Sequence, residues 1–192
     1  MRSELLRLLR GTTPAVTPQI GWVNEPESSR DVTHARPKAL SVPMVVRVKT
    51  GEILGFNVAR MPAKGLLADI GKSLYQWTVD ERSAKFQSML RDLAGSLKPN
   101  VTFKCDSNTS YPKWIHNIVP NAGIEQILAG KKKPKSEAKA FDELFSINNT
   151  FARMRHDMNR LARKTWSTTK SIRGLEAHIW LYVAWNNGYS IR

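Results

Sequence analysis

Apolar residues recur along this chain at two spacings, and the switch between them divides it into elements. Alternation and short β-branched runs mark strands; three- and four-residue spacing marks helices. Ile20 to Val23 reads as a short strand ending at Asn24-Glu25-Pro26-Glu27, and the polar stretch Ser28 to Lys38 reads as loop. Val42 to Lys49 is β-branched and apolar, with Pro43 near its start. Thr50-Gly51 makes a turn and Glu52 to Val58 a second strand, so the pair predicts a β-hairpin. Lys64 to Trp77 has mixed helical character. Thr78-Val79-Asp80-Glu81 fits a capping box, in which Thr78 accepts from the third helical amide and Glu81 reaches back. The helix that follows sets Phe86, Met89, Leu90, Leu93 and Leu97 on one face, and Pro99 stops it.

Val101 to Cys105 alternates, with Val101, Phe103 and Cys105 on one side and Asp106 where the strand should end. Tyr111 to Val119 predicts a short helix with Tyr111, Trp114, Ile115 and Ile118 inward. Ile124 to Leu128 is a last strand, and Lys131-Lys132-Lys133-Pro134-Lys135 an exposed basic loop. A long helix carries Leu144, Ile147, Phe151, Met154, Met158 and Leu161 at alternating three- and four-residue spacing, and a final helix covers about Ile172 to Trp185. No internal repeat is visible. The order strand, hairpin, helix, strand, helix, strand, helix predicts a mixed α/β layer. Ahead of it, Met1 to Arg10 reads as a short amphipathic helix and residues 11–18 as a turn-rich linker.

Composition adds partners to this outline. The 192 residues suit one domain with a substantial core, and a hydrophobic content of 41% with six Trp argues for a folded chain. Thirty Lys and Arg against 16 Asp and Glu give a formal net charge of +14, which fits nucleic acid through release of phosphate counterions. The plainer alternative is a basic protein with no nucleic-acid role. The single cysteine, Cys105, excludes an intrachain disulfide and a zinc ribbon. No apolar run is long enough to span a bilayer, and the N-terminal segment lacks the pattern of a signal peptide. The expectation is a cytoplasmic protein without membrane contact.

Three groups of residues are candidates for chemistry. Asp106 stands at a strand end before Ser107-Asn108-Thr109-Ser110; it is either a metal-binding carboxylate or a turn former, since Asp-Ser-Asn is good turn chemistry. Asn148 lies beside the apolar stripe of the long helix, sharing a face with Leu144, Phe151 and Arg155. It reads as a half-buried amide satisfied by the core, or as a neutral oxygen ligand. Arg153, Arg155, Arg160, Arg163 and Lys164, followed by Lys170 and Arg173, form a cationic run; with Lys131, Lys132, Lys133 and Lys135 they suit contact with a phosphate backbone. His34, His116, His156 and His178 show no metal-ligand spacing, and the tail from His178 to Trp185 reads as core packing.

Several stretches, taken in order, resemble bacterial insertion-sequence transposases of the DDE class. They are His34 to Val42, Ile53-Leu54-Gly55-Phe56 with Met61 to Leu67, Asp106-Ser107-Asn108 with Tyr111-Pro112, and Ser146 to Ser171 with His178 beyond. The resemblance implies an α/β, RNase H-like mixed sheet flanked by helices over residues 19–192, without the N-terminal zinc-binding and helix-turn-helix portion such proteins carry. It also implies metal-dependent cleavage and strand transfer of DNA at insertion-sequence ends, using Mg²⁺ or Mn²⁺ held by an acidic triad. Asp106 matches the second acid and Asn148 stands where the third would be, with Arg155 as a basic partner. The first acid falls on Glu27 when counted without gaps from His34. Alignment of the first strand puts Asn24 there instead, with Glu25 next to it. By analogy the partners are insertion-sequence ends, target DNA and further copies of the chain. The rival expectations are a remnant that binds DNA without cutting it and a basic nucleic-acid-binding accessory protein.

Overall fold

A computed structural model of the chain describes residues 18–24, 40–62, 73, 79–127, 142–158, 161 and 171–188. The strands are β1 (Pro18–Asn24), β2 (Leu40–Arg47), β3 (Ile53–Phe56), the two-residue β4 (Ala59–Arg60), β5 (Thr102–Asp106) and β6 (Gly123–Ile127). The helices are α1 (Arg82–Ala94), α2 (Tyr111–His116), α3 (Phe145–Asp157) and α4 (Ile172–Asn186).

These strands form one mixed sheet in the order β3-β2-β1-β5-β6, with β4 pairing further along β2. β1, β2 and β3 run antiparallel, while β1, β5 and β6 run parallel. β2 explains itself by burial. From Leu40 to Val46 every residue is buried, which is what an almost unbroken apolar run signals when helices cover both faces of a strand. Pro43 sits inside this strand, a position that usually rejects proline because the ring has no N–H. Here the ladder is interrupted on that side. β3 pairs with residues 44–46 and β4 with residues 40–41, and the Pro43 carbonyl accepts instead from the Asn57 backbone N–H at 3.2 Å.

Alternation along the sheet sorts the core into two layers. On one face Val42, Met44 and Val46 pack with Ile147, Phe151 and Met154 of α3 and Leu175, Ile179 and Val183 of α4. On the other, Ile20, Val45, Phe103 and Cys105 meet Phe86, Met89, Leu90 and Leu93 of α1 with Tyr111 and Ile115 of α2. Phe86 stacks on Tyr111 with ring centroids 5.4 Å apart.

Three local expectations change. α1 begins at Arg82 with Glu81 at its N-cap, so the described helix starts later than a capping box opened by Thr78 expects; Thr78 itself lies outside the described residues. The Glu81 carboxylate instead accepts from the Arg60 backbone N–H at 3.2 Å, while its own N–H donates to the Arg60 carbonyl at 3.0 Å, which ties the helix to β4. α3 ends at Asp157, because Met158 turns to extended backbone, yet Met158 and Leu161 stay buried. Their spacing reported burial past the end of the helix. The tail is not all core: Leu181 and Trp185 on α4 are 50% and 59% exposed, and His178 is exposed as well.

Candidate functional site

β5 delivers Asp106 to the carboxyl end of a parallel strand next to β1. The pairs Gln19–Lys104 and Ile20–Cys105 set the register, so Asp106 falls one step on, level with Gly21. In open α/β sheets such strand ends, where the order reverses direction from a central strand, are where ligands gather. Around Asp106 the chain is polar. Its Oδ1 accepts the Asn108 backbone N–H at 3.1 Å, the Asn108 Oδ1 accepts the Ser110 N–H at 3.0 Å, and Gln126 donates to the Asn108 carbonyl at 3.0 Å. Two consecutive Asx turns therefore hold the β5–α2 loop, and the turn-forming role of Asp106 is realised. The neighbouring Cys105 is fully buried; burial first, and the charge of Asp106 second, push its thiol up to about 11.

Asn148 is placed elsewhere. It is exposed, not half-buried, and its amide donates to Asp142 Oδ2 at 2.9 Å. The other Asp142 oxygen accepts the Leu144 N–H at 2.9 Å, so the pair braces the entry to α3. Two residues to either side, Ser146 accepts from the Lys49 N–H at 3.2 Å and Thr150 lies against Gly51. Lys49 and Gly51 belong to the β2–β3 turn, beyond the pairing of Pro18 with Arg47. Asn148 thus sits by the end of the sheet where β1 begins, and Asp106 sits where β5 finishes. They are two strand spacings apart across the sheet, about 10 Å, and at least three residues, about 10 Å, along it. The structure does not bring them together. Arg155, half-buried, lies seven residues further along α3, about 10 Å from Asn148.

Of the alternatives for the first acid, Asn24 closes β1 opposite Ser41, three residues beyond the level of Asp106. Glu25 and Glu27 lie outside the described residues, as do Lys131, Lys132, Lys133, Lys135, Arg160, Arg163, Lys164 and Lys170. Among the described residues no three His, Cys, Asp or Glu side chains cluster to hold a metal. Among the described residues, one half-exposed carboxylate and a distant amide do not make the donor set that two divalent ions require.

Arg153 is exposed, and its guanidinium lies 5.7 Å over the Trp185 ring, a cation–π contact between α3 and α4. Beneath it the Tyr182 hydroxyl is buried without a hydrogen bond of good geometry, although Asp157 and Arg153 are close. Burial pushes it up to about 12; Arg153 opposes the shift and Asp157 adds to it. Sequence reading placed Arg153 among the phosphate contacts and missed this partnership, because the spacing of α3 says nothing about which helix lies alongside.

Charge is distributed unevenly. The described residues hold 12 of the 30 Lys and Arg but 10 of the 16 Asp and Glu, so the framework is close to neutral and the excess belongs to the remaining stretches of sequence. Among the described residues no helix is long and apolar enough to cross a membrane. Comparison with models of known protein families and with curated proteins finds no match to this chain.

Proposed function

We propose that this protein is a transposase-like, DNA-holding domain built on an RNase H-like sheet, which grips duplex DNA through phosphate contacts. The observation that carries the reading is the strand order. An antiparallel β3-β2-β1 meander, extended by the parallel strands β5 and β6 with helices on both faces, is the arrangement expected of that fold. The net charge of +14 supplies the attraction, and the clustering of Lys and Arg at Lys131–Lys135 and Arg160–Lys170 in the sequence makes these stretches the natural phosphate contacts of this reading.

A second reading is metal-dependent cleavage and strand transfer with Mg²⁺ or Mn²⁺. It is favoured by the position of Asp106 at the carboxyl end of β5 beside β1, and it needs further carboxylates, Glu25 or Glu27, to join Asp106. The separation of Asn148 from Asp106, and its engagement with Asp142, favour binding without cutting. One experiment separates the two. Duplex DNA is incubated with wild type and with Asp106→Ala, with and without Mn²⁺, and both binding and nicking are scored. The binding reading expects the same affinity within about twofold for both proteins and no nicking by either; Mn²⁺-dependent nicking that disappears in Asp106→Ala would establish the cleavage reading instead.

A further inference from the structure

Among the described strands β3 lies at one edge of the sheet, and an edge strand presents backbone groups to which another chain can pair. At Ile53 that invitation is already answered. The Asn187 side chain, just past the end of α4, accepts from the Ile53 backbone N–H at 3.0 Å and donates to the Ile53 carbonyl at 2.9 Å. An amide is the chemical equal of a peptide group, so this two-way exchange reproduces what a neighbouring strand would supply. Asn186 completes it: its amide donates to the Gly51 carbonyl at 3.3 Å and to Asn187 Oδ1 at 3.1 Å, which fixes the orientation of the clamp. The helix end is itself held, since the Asn187 N–H returns to the Val183 carbonyl at 2.9 Å and Gly188 takes a left-handed φ of +73°. One step along the edge, Gly55 and Phe56 are flanked by Leu93 of α1 on one side of the sheet and Trp180 of α4 on the other.

We infer that Asn186 and Asn187 form an edge clamp that closes the β3 side of the sheet and keeps a second copy of this chain from adding a strand there. The occupant excluded is a second copy because Ile53 directs both its N–H and its carbonyl outward, and an identical edge meeting it antiparallel would offer the same two groups in return. The clamp is independent of any DNA role. The test uses Asn187→Ala in the full chain, read by amide hydrogen exchange and by sedimentation over a range of concentrations. Exchange at the Ile53 amide should rise at least tenfold over wild type while that at Val45 and Phe103 holds. The variant should also self-associate at concentrations where wild type does not. Unchanged Ile53 exchange overturns the clamp; faster exchange without added self-association overturns its guarding role. Wild type supplies a further measurement if the variant fails to fold, since an Ile53 amide exchanging as fast as unstructured peptide contradicts the clamp outright.

Discussion

Cys105 carries the clearest residue-scale consequence. Its thiol is buried in the layer beneath α1 and α2 and pushed up to about 11 from an ordinary 9. The native protein should therefore react with a thiol reagent at neutral pH at least 10-fold more slowly than the unfolded chain, because the thiolate is the nucleophile. The folded state holds its proton more tightly than the unfolded state does. This contribution to stability is complete below about pH 9 and is lost as the pH climbs through about 11. Denaturant titrations from pH 8 to 11 should show stability falling, and Cys105→Ala should flatten that part of the profile; an unchanged slope would assign the loss to other groups. Tyr182, raised to about 12 chiefly by burial, works with the same sign one step higher. Gly55 is a second sensitive residue. A Cβ there would stand 2.9 Å from Leu93, so Gly55→Ala should cost roughly 1–3 kcal/mol by overpacking. Measured by urea unfolding, that cost should shrink when Leu93→Ala is combined with it.

At the scale of elements, the sequence disclosed most of the strands and helices, because each buries a stripe that alternation or helical spacing makes visible. The β2–β3 hairpin and the inward row Val101, Phe103 and Cys105 were legible for this reason. Ends were less so. Glu81 satisfied a capping-box pattern, yet α1 starts only at Arg82 and the Glu81 carboxylate pairs with Arg60. At α4 the opposite holds, since Ser171 accepts from the Gly174 N–H at 3.0 Å as a true N-cap. Ser171→Ala should lower stability by about 1 kcal/mol in a denaturant titration, whereas Glu81→Gln should change helix content little. The clamp on β3 was invisible in sequence. Asn186-Asn187-Gly188 signals a helix end, but nothing local says that those amides return to Gly51 and Ile53, more than 130 positions earlier.

For the whole molecule, patterning predicted a mixed α/β layer, and the sheet has that form with helices on both faces. The candidate site was less legible. Asp106 was expected at a strand end and is there, but sharing a helix face with Phe151 and Arg155 could not reveal that Asn148 lies beside the β2–β3 turn, away from Asp106. Helix periodicity fixes which way a side chain faces and leaves open where along a sheet the helix begins. The near-neutral framework and the strongly basic remainder lead to the most direct test of the account, which is affinity for duplex DNA measured from 50 to 200 mM salt. Engagement of about 6 to 10 phosphates predicts that affinity falls on the order of 10³-fold or more across that range, with similar values for unrelated sequences. Binding that is absent at 50 mM salt, or that ignores salt, would contradict a DNA-holding role, and tighter binding to RNA of equal length would point to an RNA-binding accessory protein.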